Sequence, residues 1–250
     1  MRIPFLFFLS FLFLITGFVQ AQNAQQILKK MDDIMFAASD RQGEITLTLE
    51  SKSGRGKIQV AEMYQKGADK KLYRYTQPEN QAGIATLSLP DDEIWLYMPA
   101  LGKPKKVSLL AKSQAFNNTD FSYEDMATTP FSDRFTPKLL ESTNEGHLLE
   151  LVPLSDKSNY GKLIVNVNKA VGYPEKMDFY AKDGELIKTA DYKYVKSGKY
   201  WYPEMILMTD LKKEHSTKIE LNNMKFDQGL DDSIFEVENM ALDHSGDEDN

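Results

Sequence analysis

The 250-residue chain carries 37 acidic residues against 30 basic ones, a net charge of −7, and no cysteine. That balance, with no basic patch interleaved with aromatics, argues against a nucleic-acid partner. The missing cysteines exclude disulfide staples and lipid attachment to an N-terminal cysteine, so stability must come from burial and hydrogen bonding alone.

At the N-terminus, Arg2 precedes an almost unbroken apolar run from Ile3 to Phe18, and Val19-Gln20-Ala21 comes next as a small-x-small cleavage site. Residues 1–21 therefore read as a secretory signal peptide. The run is shorter than the roughly 20 residues a membrane-spanning helix needs. The mature chain is expected to be exported and soluble.

Gln22 to Ala38 has helical periodicity, with Ile27, Met31, Ile34, Met35 and Ala38 on one side and Gln25, Lys29, Lys30, Asp32 and Asp33 on the other. From Gly43 the period changes to two: Ile45, Leu47 and Leu49 alternate with Thr46, Thr48 and Glu50, and Ser53-Gly54-Arg55-Gly56 turns into a strand from Lys57 to Gln65. In the segment Lys70–Thr76, Leu72, Arg74 and Thr76 share one face, and Tyr73 and Tyr75 share the other. Gly83–Leu89 and Glu93–Met98 form a hairpin about Pro90-Asp91-Asp92. Its strands are apolar on both parities, which implies apolar material on each side. A further short strand is expected over Val107–Leu110.

The strand pattern lapses between Ala111 and Pro137. Within it, Ser122 and Asp125 have the spacing of a capping box at the start of a helical turn, and a stretch this long points to a functional cover. Strands resume over Phe135–Ser142, His147–Leu154, Lys162–Asn168, Tyr173–Ala181, Leu186–Val195, Tyr200–Leu211 and Thr217–Phe226. Turn signals such as Lys182-Asp183-Gly184 and Lys196-Ser197-Gly198 separate most of them. Asp231–Phe235 suits one last short helix, and residues 243–250 form an acidic tail that cannot bury anything. The pattern predicts a mainly β fold: one curved antiparallel sheet of about ten or more strands, with one N-terminal helix and one mid-chain helical insert.

Catalysis finds no support in the pattern. His147, His215 and His244 share no motif, and no Gly-x-Ser-x-Gly elbow, phosphate loop or His-Glu-x-x-His is present. Neither a metal nor an organic cofactor is expected. What stands out is aromatic and Met-rich surface beyond the needs of a small core, which suits a cavity for acyl chains.

Thr76-Gln77-Pro78-Glu79 followed by Ile94-Trp95-Leu96-Tyr97-Met98-Pro99 resembles the signature region of the LolA family of periplasmic lipoprotein carriers. Asp120-Phe121-Ser122-Tyr123-Glu124-Asp125 is similar to a segment in the wider group of outer-membrane lipoprotein-sorting proteins. The resemblance implies a strongly curved, half-open β-barrel with a helical lid, one lipid-binding domain over 22–242, a periplasmic location, no enzymatic activity, and lipid or lipoprotein acyl chains as ligand. An inner-membrane exporter is the implied partner, and the chain would act as a monomer. Tyr73 falls where the carriers have a cavity-lining tryptophan, whereas their gating arginine has no counterpart in Asp69-Lys70-Lys71. With the periodicity, this gives Ile27, Met31, Ile34, Met35, Tyr73, Tyr75, Leu87, Leu89, Trp95, Tyr97, Phe121 and Met126 as expected cavity or lid residues. A periplasmic sensor of similar fold is the alternative function.

Overall fold

The computed structural model describes residues 23–51, 56–91, 93–108, 115–126 and 128–242. The predicted signal peptide, the acidic tail, Asp92 of the hairpin turn and Ser53-Gly54-Arg55 lie outside them. Thirteen strands, β1 (Asp40–Ser51), β2 (Gly56–Lys66), β3 (Lys70–Gln77), β4 (Ala85–Leu89), β5 (Glu93–Tyr97), β6 (Lys105–Lys106), β7 (Phe135–Ser142), β8 (Gly146–Pro153), β9 (Tyr160–Asn168), β10 (Pro174–Ala181), β11 (Leu186–Ser197), β12 (Tyr200–Asp210) and β13 (His215–Phe226), form one sheet. The described helices are α1 (residues 23–35) and the single-turn α2 (Phe131–Arg134), with short 3-10 turns between strands.

The sheet order is β6-β5-β4-β3-β2-β1-β13-β12-β11-β10-β9-β8-β7, so two meanders meet where β1 pairs antiparallel with β13. The sheet is not closed: β6 and β7 are its edges. The predicted strand at Val107–Leu110 is absent at Val107 and Ser108, and the edge strand is Lys105–Lys106 just before them. Two lysines on a two-residue edge discourage pairing with another chain. The connection from β6 to β7 runs from one edge to the other.

Alternation along the strands decides what lies inside. Ile45, Leu47 and Leu49 of β1 stand opposite Leu221, Ile219 and Thr217 of β13, and all six are buried. Except for Thr217 they join Tyr73, Tyr75, Ile94, Leu149, Leu151, Leu163, Val165, Met177, Phe179 and Met208 in one large cluster on a single face of the sheet. Ala24, Leu28 and Met31 of α1 and Phe116, Phe121, Tyr123 and Met126 of the β6–β7 connection pack into it. The helix and the connection thus cover one face of an otherwise open sheet.

The opposite face of β3 and β4 is covered too. Tyr64, Leu72, Ala85 and Leu87 pack against Leu230, Ile234, Phe235 and Met240. Asp40 holds that C-terminal segment in place, its carboxylate accepting the backbone N–H groups of Gln228 (2.7 Å), Gly229 (2.8 Å) and Leu230 (3.1 Å). Asp231 caps the 3-10 turn Asp232–Phe235 through the N–H of Ser233 (2.8 Å). The predicted final helix is therefore a 3-10 turn. The hairpin is greasy on both sides because each side has its own cover.

The β1–β13 pair carries a register shift between Gln42 and Glu44. At that shift a Cβ on Gly43 would stand 2.4 Å from the Met224 Sδ and 2.9 Å from the Asn222 carbonyl oxygen. The methionine can swing away, but the backbone oxygen cannot. Gly43→Ala is expected to destabilise the fold by about 1–3 kcal/mol through overpacking, read as a lowered urea midpoint with an unchanged m-value.

Candidate functional site

Beneath α1 and the β6–β7 connection lies a cavity of about 130 Å³. Met35 and Phe36 close it from the end of α1; Ile45, Met63 and Tyr73 contribute from β1, β2 and β3; Ile206, Ile219 and Leu221 contribute from β12 and β13. Phe121, Met126 and Phe131 roof it from the connection. A cavity of this size matches one known to hold a benzene molecule. It is far below the 300–1,000 Å³ of a typical small-molecule site. The sheet's concave side is largely filled by side chains, and the cavity is what they leave.

Of the residues expected to line a cavity, Met35, Tyr73, Phe121 and Met126 do so. Met31 and Tyr75 are fully buried in the cluster behind them, and Ile27 packs against that cluster. Ile34 is beside a shallow surface depression with Ala38, Arg41 and Trp201. Leu87, Leu89, Trp95 and Tyr97 belong to the other face, against the C-terminal segment. Period-two reasoning could sort those four from Ile94, but it could not say which set joined the large cluster and which met the C-terminal segment. On α1 the most deeply buried stripe is Ala24, Leu28 and Met31, one step round from the predicted one.

The connection is fastened by its acids. Ser122 and Asp125 form the reciprocal pair expected of a capping box: Asp125 Oδ2 accepts the Ser122 N–H (2.7 Å), and Ser122 Oγ accepts the Asp125 N–H (3.2 Å). The segment they cap is a turn, not an α-helix. Asp125 also accepts from the Tyr160 hydroxyl (2.6 Å) and pairs with Lys188 of β11 (3.2 Å). Glu124 accepts from Ser158 Oγ (2.6 Å) and from the backbone and side chain of Asn159 (3.0 and 2.6 Å). Asp120 takes a hydrogen bond from Thr217 Oγ1 (2.7 Å) and lies 2.6 Å from His215 Nδ1. His215 is thus committed to a structural contact.

Asp32 links the two parts of the cover. From α1 its carboxylate accepts the N–H groups of Phe131 (2.9 Å) and Ser132 (2.8 Å), capping α2. Burial raises its pKa, and the hydrogen bonds from Ser132 and Phe131 together with the nearby Arg134 work against that rise.

Cations line the cavity in places the sequence did not announce. Arg41, Lys71 and Arg134 all reach it, together with Tyr192 and Tyr194 of β11. Arg41 donates twice to Gln65 Oε1 (3.1 and 2.7 Å). Arg134 donates to the Glu124 carbonyl (3.2 Å) and stacks over Phe131 and Phe135. Lys71 differs: its ammonium group lies 5.8 Å from the centre of the Tyr73 ring, and no carboxylate among the described residues is within ion-pair distance of it. Burial, then repulsion from Arg41 and Arg134, pushes its pKa down to about 7. Burial likewise pushes the Tyr73 hydroxyl up to about 12 and raises Tyr192 and Tyr194. The alternation Ala190, Tyr192, Tyr194 was available in the sequence. The meeting of three cations from distant segments was not.

A family model described as "-like: Uncharacterized protein" matches residues 67–241. No curated protein matches the chain. Among solved structures, a domain described as that of an outer membrane lipoprotein-sorting protein from Vibrio parahaemolyticus is 26% identical. It superposes with a TM-score of 0.82, covering 89% of this chain and 100% of that one. A LolA superfamily protein from Nitrosomonas europaea is 27% identical, with a TM-score of 0.72 over 85% of this chain and 97% of that one. A DUF1329 family protein from Desulfovibrio piger shares the fold at 21% identity, with a TM-score of 0.83 over 88% of this chain and 99% of that one.

The depressed lysine makes a stability prediction. Between about pH 7 and its unfolded value of 10.5, the unfolded chain holds the Lys71 proton more tightly than the folded one, so this group's contribution to stability rises with pH across that window. Lys71→Met removes the term. The difference in unfolding free energy, wild type minus variant, should rise from pH 7 to pH 10 in parallel urea titrations.

Proposed function

We propose that the chain, which belongs to the family matched over residues 67–241, a LolA-like one, is a non-catalytic carrier of lipid or lipoprotein acyl chains. Residues 1–21 direct its export to the periplasm, 22–242 act as one lipid-binding domain, and 243–250 are a solvated tail. The names of its structural relatives connect the fold to outer membrane lipoprotein sorting. The observation that carries the reading is the cavity lined by Met35, Tyr73, Phe121 and Met126 under a two-part cover.

The cavity at 130 Å³ takes only part of an acyl chain, so carriage requires the cover to part. Its components are suited to that. Met35 and Met126 are unbranched and polarisable, and they repack around varied chains with little loss. Each buried methylene contributes about 0.8 kcal/mol, so a few carbons admitted beyond the cavity offset the loss of cover contacts. An inner-membrane exporter is the natural neighbour for such a carrier, handing over or receiving cargo.

Native mass spectrometry of the purified protein before and after detergent washing is expected to show a lipid adduct that washing removes and added lipid restores. Met126→Trp, which fills the cavity, should weaken displacement of a fluorescent fatty acid by about tenfold or more. Trp95→Phe, on the opposite face, should leave it unchanged. A protein that neither carries nor takes up lipid defeats the carrier reading.

A further inference from the structure

A half-buried ammonium group that lines a mostly apolar cavity with no carboxylate in ion-pair reach lacks a counter-charge, and drawing a charge out of water is costly unless an opposite charge and hydrogen bonds replace the water. Lys71 is in that position. The guanidinium groups of Arg41 and Arg134 act on it as like charges. Among the described residues the carboxylates in the neighbourhood are engaged: Asp125, which also lines the cavity, holds Lys188 and Tyr160, and Asp32 holds two backbone N–H groups near Arg134. Among the described residues the other elements packed against Lys71 bring no acid: its strand partners are Gln65 and Ser88, and Met35 of α1 and Phe36 just after it line the cavity. Tyr194 adds a buried hydroxyl with no hydrogen-bond partner among the described residues.

We propose that the cavity selects an anionic amphiphile and takes it head first, with a carboxylate or phosphate group beside Lys71 between Arg41 and Arg134, the Tyr194 hydroxyl donating to it, and the tail leaving along Tyr73 and Met126. This inference rests on the carrier reading and adds the charge of the ligand to it. The head group supplies the missing counter-charge, and its oxygens accept from half-buried donors that already line the cavity. Binding should therefore raise the affinity of Lys71 for its proton and weaken as the lysine loses it above about pH 7.

Isothermal titration of the delipidated protein with decanoate, decyl phosphate, 1-decanol and inorganic phosphate, at pH 6 and pH 9, tests this. The expected result is that decanoate or decyl phosphate binds at least tenfold more tightly than decanol at pH 6, and that this advantage falls at least threefold at pH 9. Lys71→Met should erase most of the advantage and its pH dependence while keeping decanol binding within twofold. Lys71→Arg, which keeps the charge, should keep the advantage at both pH values and decides the matter if the methionine variant does not fold. Equal binding of decanoate, decyl phosphate and decanol by the wild type, or an advantage that survives Lys71→Met, overturns the inference and leaves the carrier reading standing. If no alkyl ligand binds, the carrier reading fails instead. Inorganic phosphate binding that Lys71→Met abolishes would then keep the anion site, and its absence would overturn that as well.

Discussion

Leu47 facing Ile219 across the β1–β13 pair joins strands from opposite ends of the chain, and every other strand hangs from that seam. Closing so long a loop has an entropic cost that local turns cannot offset. The offset comes from one of the longest ladders in the molecule, running from Arg41–Phe226 to Ser51–His215 with buried aliphatic pairs on its inner face. Asp40, at the start of β1, also binds three successive N–H groups beyond β13. The same residue that begins the sheet fixes the segment that covers its back. The two-sided burial of the β4–β5 hairpin depends on this anchoring as much as on the hairpin's own residues.

An open sheet with one greasy face must be covered, and this chain does it with two separate pieces. The apolar residues of α1 and of the β6–β7 connection supply the burial, while acids supply the position. Asp32, Asp120, Glu124 and Asp125 each take two or more hydrogen bonds, most of them from partners far away in sequence. Hydrogen bonds to a charged acceptor are the stronger kind, so a connection with little regular structure can still sit in one place. The acid-rich composition thus serves the interior of the cover as well as solvation of the surface.

The sheet is legible in the sequence because its information is local. Period-two alternation locates most strands to within a few residues, turn residues mark the hairpins, and the Ser122–Asp125 spacing points to a capping pair whose reciprocal hydrogen bonds are present. Tyr73 could be assigned to a cavity face through resemblance. Which face of the hairpin joined the large cluster was not legible, since Leu87 and Ile94 are equally apolar and only the C-terminal segment, folding back on β3 and β4, separates them. The helix register differs by one step because the stripe that Ile34 and Ala38 complete on paper passes beside Leu28, which is the residue the core takes in. The cations were invisible for a different reason: Arg41, Lys71 and Arg134 lie on three elements, and charges on a strand ordinarily read as its wet face.

Those cations also bear on how tightly the core can close around the cavity. Apolar side chains left to themselves pack to the density of organic crystals and leave few voids larger than a water molecule. Here the surrounding core does so: Met31, Tyr75, Leu47 and Met177 are completely enclosed or nearly so. Where Arg41, Lys71 and Arg134 line one cavity, collapse would press like charges together in a medium that screens them less well than water. Mutual repulsion therefore opposes closure in the part of the sheet where aliphatic residues alone would favour it. Arg41 and Arg134 are held by Gln65 and the Glu124 carbonyl, which leaves Lys71 as the charge that an incoming group of opposite sign would serve in the proposed site.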